Sequence, residues 1–259
     1  MFKVKSSALS DVGLKRGVNE DSYSASGENN LFLIADGMGG HNAGEFASRL
    51  AVSTIEDFIN NAFLDESITW PFGMDKALTL QANKLITAIR IANQIIYQKA
   101  KTQDTYKNMG STIVALLVDN DSACIAHVGD SRAYKIRQNI IAQLTIDHSW
   151  VREQIQKGIL SEEESKNHHL RNVITRALGT EPEVEVDVRS EKINHQDYIV
   201  LCSDGLSSLV DDETIKNIIL NAKGDLNSAC QNLVNTANEK GGRDNITVII
   251  VYFEETNAS

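Results

Sequence analysis

Four aspartates in this chain stand where an apolar run meets glycine or asparagine. Asp36 follows Leu31-Phe-Leu-Ile-Ala35 and opens Gly37-Met-Gly-Gly40, while Asp130 follows Ala126-His-Val-Gly129. Asp204 follows Ile199-Val-Leu-Cys-Ser203, and Asp244 precedes Asn245-Ile-Thr-Val-Ile-Ile250. A single aspartate in such a place is ordinarily a turn residue accepting backbone N–H bonds. Four from separated parts of the chain, together with Asn19-Glu20-Asp21, imply more. If the apolar runs are strands lying side by side, their ends converge, and clustered carboxylates repel unless a cation neutralises them. Oxygen ligands suit Mg²⁺ or Mn²⁺ that keep several waters. Zinc is disfavoured, because no His or Cys pair has ligand spacing and His168-His169 reads as a surface pair. Two cations sharing a carboxylate would clamp a phosphate and activate the water between them. Glycine beside Asp36 lets the backbone approach such a metal, so that a main-chain carbonyl can serve as a ligand. The residues alone point to a metal-dependent phosphoester hydrolase.

The elements that must position these residues are legible in outline. Apolar runs at Leu31–Ala35, Thr112–Val118, Ala123–Val128, Tyr198–Cys202 and Ile246–Phe253 read as strands, near-continuous as where both faces are covered. Helical spacing marks 44–62, with Phe46, Leu50, Ile55, Phe58 and Ile59 largely on one stripe, and 74–100, with Leu78, Leu85, Ile89, Ala92 and Ile96. Two shorter helices are predicted over 212–220 and 226–237. Helices and strands come in blocks rather than in strict alternation, which favours an α+β layered fold over a doubly wound parallel sheet. The polar stretch 150–171, rich in Glu, Lys and His, reads as short helices in an exposed excursion.

Composition excludes several classes of function. The 259 residues carry 25 basic against 35 acidic side chains, a net charge of −10 that argues against nucleic acid or an anionic membrane as partner. Three isolated cysteines fit a reducing compartment, and the charged start without an apolar core argues against a secretory leader. No stretch approaches the ~20 apolar residues of a membrane span. With 2 prolines and no linker-like tract, the chain reads as a single domain over 1–259, with a frayed end at 254–259.

The chain resembles the metal-dependent type 2C Ser/Thr protein phosphatases in their bacterial form, over about Ser10 to Phe253. The resemblance rests on Arg16-Gly-Val-Asn-Glu-Asp-Ser22, Asp36-Gly-Met-Gly-Gly-His41, Gly110-Ser-Thr112 and Gly129-Asp-Ser-Arg-Ala-Tyr134. It continues through Leu144-Thr-Ile-Asp-His-Ser149, Ile174-Thr-Arg-Ala-Leu-Gly179, Cys202-Ser-Asp-Gly-Leu206 and Gly242-Arg-Asp-Asn-Ile-Thr247. It implies a central β-sandwich of two antiparallel sheets flanked by α-helices, an α-β-β-α four-layer arrangement with metals in a cleft at one end. By position Asp36 would bridge two Mn²⁺ or Mg²⁺ ions, Gly37 would offer its carbonyl, and Asp204 and Asp244 would complete the protein ligands. Asp21, Glu20 and Asn245 would support the site from behind, Asp21 and Glu20 by holding metal-bound waters. Asp130 would hold a third, weaker metal, and 150–171 would be the flap.

The implied reaction is hydrolysis of phosphoserine and phosphothreonine in proteins by a hydroxide bridging the two metals. Arg16 would orient the phosphate through its planar fork. Animal members have a histidine directly after the Asp-Gly pair. This chain has Met38 there and His41 three residues on, leaving His41 or a metal-bound water as the general acid. The implied setting is cytoplasmic and monomeric, opposing a cognate Ser/Thr kinase. The alternative is a catalytically silent phosphatase-like scaffold.

Overall fold

The computed structural model describes residues 2–26, 29–40, 42–64, 70–166 and 168–255. Among them, strands β1 (Phe2–Asp11), β2 (Asp21–Ser26), β3 (Leu31–Met38), β4 (Gly110–Ser111), β5 (Ile113–Asp119) and β6 (Ser122–Val128) are followed by β7 (Arg132–Arg137) and β8 (Ile140–Gln143). The last three are β9 (Asp187–Lys192), β10 (Tyr198–Cys202) and β11 (Ile246–Glu255). One antiparallel sheet runs β1-β11-β10-β7-β8; the other runs β2-β3-β5-β6-β9, with β4 paired to β3.

Strand alternation sorts the core into three layers. On β3, Leu31, Leu33 and Ala35 face α1 (Ala43–Leu64) and α2 (Leu80–Thr102), while Phe32 and Ile34 face the other sheet. On β11, Val248 and Ile250 pack outward with α6 (Asp212–Asn221) and α7 (Leu226–Glu239), whereas Ile249 and Val251 enter the layer between the sheets. Each interior strand is therefore covered on both faces. The result is the α-β-β-α sandwich implied by the sequence motifs.

Two boundaries differ from the sequence reading. The second long helix begins at Leu80 rather than Met74, because Thr79 caps it by accepting from the Ala82 N–H at 3.2 Å. The residues before it are held in a turn, with the Asp75 carboxylate accepting from Ala77 and the Asn83 side chain bonded to the Asp75 main chain. The C-terminal end is not frayed at Glu254 and Glu255. These pair with Lys3 and Phe2 on β1, and Lys5 holds Glu254 at 2.9 Å; residues 256–259 lie outside the described residues. The excursion after β8 does contain two short helices, α3 (Trp150–Gln156) and α4 (Glu162–Lys166). No helix among the described residues is long and apolar enough to cross a membrane.

Candidate active site

The acidic residues converge at one end of the sandwich. Asp36 on β3 is the register partner of Asp21 on β2. Its main chain is held on both sides: the Thr112 N–H donates to the Asp36 carbonyl at 2.8 Å, and the Asp36 N–H donates to Thr112 Oγ1 at 3.0 Å. Asp204 opens the short helix α5 (Asp204–Ser207), directly after Ser203 at the end of β10. Asp244 precedes β11 and accepts from the Asn245 N–H at 2.9 Å. Asp130 sits in the turn between β6 and β7.

Asp21 is buried beneath them. Its Oδ2 accepts from Ser203 Oγ at 2.8 Å and from Thr247 Oγ1 at 2.6 Å, both from the opposite sheet's side. Thr247 in turn is within hydrogen-bond reach of Ser10 Oγ at 2.8 Å, and Ser10 accepts from the Asn19 side chain at 2.9 Å. Thr247 has given its only hydroxyl hydrogen to Asp21, so Ser10 is the donor in that contact. A hydrogen-bond chain thus runs Asn19 to Ser10 to Thr247 to Asp21.

Backbone packing here leaves no room for side chains. A Cβ on Gly37 would stand 2.1 Å from the Gly44 carbonyl oxygen, and one on Gly205 would stand 1.9 Å from that of Asn245. Main chain rather than side chain therefore lines the site beside Asp36 and Asp204.

The electrostatics are those of a site built for cations. Glu20 Oε1, Asp21 Oδ1, Asp130 Oδ1 and Asp204 Oδ1 are buried without a hydrogen-bond partner. Such orphaned acceptors are costly unless something positive faces them. Burial, with the charges on Asp21, Asp204, Asp130 and Asp244, pushes the Asp36 carboxyl well above its ordinary range. Burial, then the charge on Asp244, lifts Asp204 to about 6, and burial with Asp204 and Asp147 lifts Asp130 to about 8. A set of carboxylates, crowded and desolvated in this way, fits hard divalent cations.

A family model for protein phosphatase 2C matches residues 15–248. The chain belongs to the protein phosphatase 2C family. It is 36% identical over 248 residues to the serine/threonine phosphatase stp of Listeria monocytogenes, covering 93% of this chain and 92% of that protein. Protein phosphatase PhpP of Streptococcus pneumoniae is 34% identical over 255 residues, covering 97% and 98%. The crystal structure of the Mycobacterium tuberculosis phosphatase PstP/Ppp superposes with a TM-score of 0.84 at 34% identity, over 98% of this chain and 100% of that one. A PstP catalytic domain solved in complex with 2 manganese ions gives 0.80 at 33% identity, with the same coverage. Membership makes the chain a metal-dependent serine/threonine protein phosphatase.

The remaining residues named from sequence are distributed around this type 2C centre. Arg16, on the exposed loop between β1 and β2, donates from Nη2 to Asp244 Oδ2 at 2.7 Å. Asn245 serves that loop rather than a carboxylate: its amide donates to the Val12 and Val18 carbonyls at 2.9 and 3.0 Å and accepts from the Glu20 N–H at 2.8 Å. Glu20 lies against Gly44, at the start of α1, where a Cβ would meet Glu20 Oε1 at 2.3 Å. His41 lies outside the described residues. A cleft of 830 Å³ opens beside Asp130 and Asp204 and is walled by flap residues, among them Val151, Arg152 and Arg171.

Sequence reasoning missed the residues that hold the acidic cluster in place. Thr112, Ser203 and Thr247 were inside the quoted motifs, each next to or near an acidic residue, and that adjacency was the available signal. His127 and His148 also stood inside quoted motifs, but sequence spacing hides the fact that the two imidazoles stack with centroids 4.7 Å apart and face Asp187.

Proposed function

We propose that Asp36, Gly37, Asp204 and Asp244 hold the two divalent cations of this phosphatase, Mn²⁺ or Mg²⁺, with Asp36 common to both, and that Asp130 holds a third, weaker one. The observation that carries this reading is the group of buried carboxylate oxygens left without a hydrogen-bond donor at one end of the sandwich. When bound, the cations supply charge neutralisation and a water activated for attack on phosphorus.

The chain's own residues do the rest. Arg16 is the one cation of its loop paired into the acidic cluster, and its planar fork binds and orients the phosphate dianion. Asp21 keeps Oδ2 on Ser203 and Thr247, which leaves Oδ1 to accept from an ordered water. Glu20, whose own Oε1 is buried without a hydrogen-bond partner, does the same. His41 or a metal-bound water would protonate the leaving serine or threonine oxygen. The flap, 150–171, forms the wall against which the phosphoprotein lies. The chain acts as one domain, a cytoplasmic monomer that reverses the work of a Ser/Thr kinase. A silent scaffold would have lost cation ligands, and Asp36, Asp204 and Asp244 are all present.

The test is turnover of phosphoserine, phosphothreonine and phosphotyrosine peptides with Mn²⁺ and with EDTA. Hydrolysis of the first two, abolished by EDTA, is the expected result. Undiminished turnover in chelator would overturn the proposal.

A further inference from the structure

Asp130 is held through its neighbours, and two different residues do the holding. On one side stands Thr112, which also fixes the Asp36 main chain. Gly129 packs so closely on it that a Cβ would come within 2.6 Å of Thr112 Cγ2, and Ser131 Oγ pairs with Thr112 Oγ1 at 2.8 Å. On the other side stands His148, buried at 7% exposure. The Gly129 N–H donates to His148 Nδ1 at 3.0 Å, and the His148 N–H donates to the Gly129 carbonyl at 3.0 Å. Gly129 adopts φ +109°, a conformation that a side chain would resist, so the turn is shaped for this approach.

The backbone donor fixes the imidazole tautomer. With an N–H pointing at Nδ1, the ring's own hydrogen sits on Nε2. Nε2 lies 3.4 Å from Asp187 Oδ1. Arg176 Nη1 lies 3.0 Å from Nε2, but its hydrogens go to Asp187 Oδ1 at 2.6 Å and the Glu185 carbonyl at 3.4 Å. This decides against a second metal site, although His127, His148 and Asp187 each bring a ligand atom within 4.8 Å of one another. In this tautomer Nε2 has no lone pair to give, and Arg176 already neutralises the carboxylate. Burial, then the nearby His127 and Arg176, pushes the His148 pKa down to about 4, so the ring stays neutral.

The main chain of His148 reaches the flap. The Thr175 N–H donates to the His148 carbonyl at 2.9 Å, Ser149 bridges Ile174, and the Trp150 N–H donates to the Val173 carbonyl at 2.9 Å. One residue thus grips the Asp130 turn with its ring and the neck of the flap with its backbone.

We propose that His148 is a positioning residue: it sets where the Asp130 carboxylate stands relative to Asp36 and ties that position to the neck of the flap. The Nδ1 acceptor holds Gly129, and the Nε2 edge, facing Asp187 and Arg176, keeps the ring from turning away. The proposal rests on the reading of Asp130 as ligand to the weaker third cation.

Three variants separate the parts. His148→Asn places an amide oxygen where Nδ1 stands, His148→Gln carries its polar end toward the Nε2 position, and His148→Leu removes both. Each full-length chain is titrated with Mn²⁺ by calorimetry and melted in EDTA. The expected result is three bound ions in the wild type and in His148→Asn. In His148→Gln and His148→Leu the two tighter ions remain and the third weakens roughly 10- to 100-fold, the usual effect of removing a residue that orients a ligand. Third-ion affinity unchanged in all three variants overturns the role of His148 alone. So does weakening of all three ions in step with the melting temperature, or failure of His148→Asn to restore the third ion. A wild type that binds only two ions removes Asp130 from the cation set, and the proposal with it.

Discussion

Arg16 and Asp244 share a hydrogen bond of 2.7 Å, so the side chain proposed to hold phosphate and one proposed to hold a cation are partners in the same contact. The Arg16 side chain is 50% exposed, and such pairs contribute little to stability. Arg16→Lys should therefore melt like the wild type while losing the planar fork. The expected loss is about 10- to 100-fold in kcat/KM on phosphopeptides, the equivalent of a charge-assisted hydrogen bond. A fall in the thermal midpoint as large as the fall in activity would give Arg16 a structural role instead.

Asn245 makes three contacts to the loop that carries Arg16 and Glu20. Asn245→Ala leaves two carbonyls and an N–H without their partner, at a cost of roughly 1–3 kcal/mol. The loop should then hold Arg16 less firmly, which raises KM for phosphopeptide more than it lowers kcat. An unchanged KM in steady-state assays would show that the loop holds its shape without Asn245.

Gly37→Ala tests the glycine beside Asp36, since the added methyl carbon would stand 2.1 Å from a backbone oxygen on α1. The backbone must move, at a cost of about 1–3 kcal/mol. The displaced carbonyl should weaken Mn²⁺ binding in calorimetry, while Gly40→Ala, whose Cβ meets nothing within 4 Å, serves as the control. Equal Mn²⁺ affinity in the two variants would remove Gly37 from the ligand set.

The metal-free protein should lose stability as pH rises above neutrality. Burial lifts the Asp21 carboxyl to about 7, against the hydrogen bonds from Thr247 and Ser203, and burial with Asp204 and Asp147 lifts Asp130 to about 8. Both lie above the unfolded value of about 3.9. Their contribution to stability is complete below about pH 4 and is lost as pH passes through 7 to 8. Thermal midpoints in EDTA should fall between pH 6.5 and 8.5, and the gain on adding Mn²⁺ should grow, because cations bind the ionised carboxylates. Below pH 6.5 the neutral His148, held down to about 4, contributes with the opposite sign, so the window is chosen above it. A midpoint in EDTA that climbs across this window would contradict the carboxylate cluster.

The five strands read from sequence, β3, β5, β6, β10 and β11, are all interior strands with neighbours on both sides. Covered on both faces, they carry near-continuous apolar runs. The edge strands β1, β2, β8 and β9 expose one face or more, and segments such as Asp187–Lys192 show no apolar run at all. The interior strand β7 was hidden for another reason. Its charges are each paired in the fold: Arg132 with Asp147 at 2.6 Å, Arg137 with Asp197 at 2.6 Å, and Lys135 with Glu191 of the facing sheet. Those partners lie 15 to 60 residues away in sequence, beyond the reach of local patterning. The acidic cluster was legible because aspartate beside glycine at a strand end is a local signal. Its supports, Thr112, Ser203, Thr247 and His148, act through contacts between distant segments.

Asp21 belongs to one sheet, while the two hydroxyls that grip its carboxylate belong to the other. Much of the contact between the two layers is through apolar side chains such as Phe32, Ile34, Ile249 and Val251, with Lys135–Glu191 and the Arg137 bond to the Lys192 carbonyl as further polar links. Asp21 therefore acts as a rivet between layers, placed at the end where the catalytic cleft opens. Shear between the sheets would therefore be felt at the acidic cluster through that carboxylate. Affinity for the cation is in this sense a strain gauge for the sandwich.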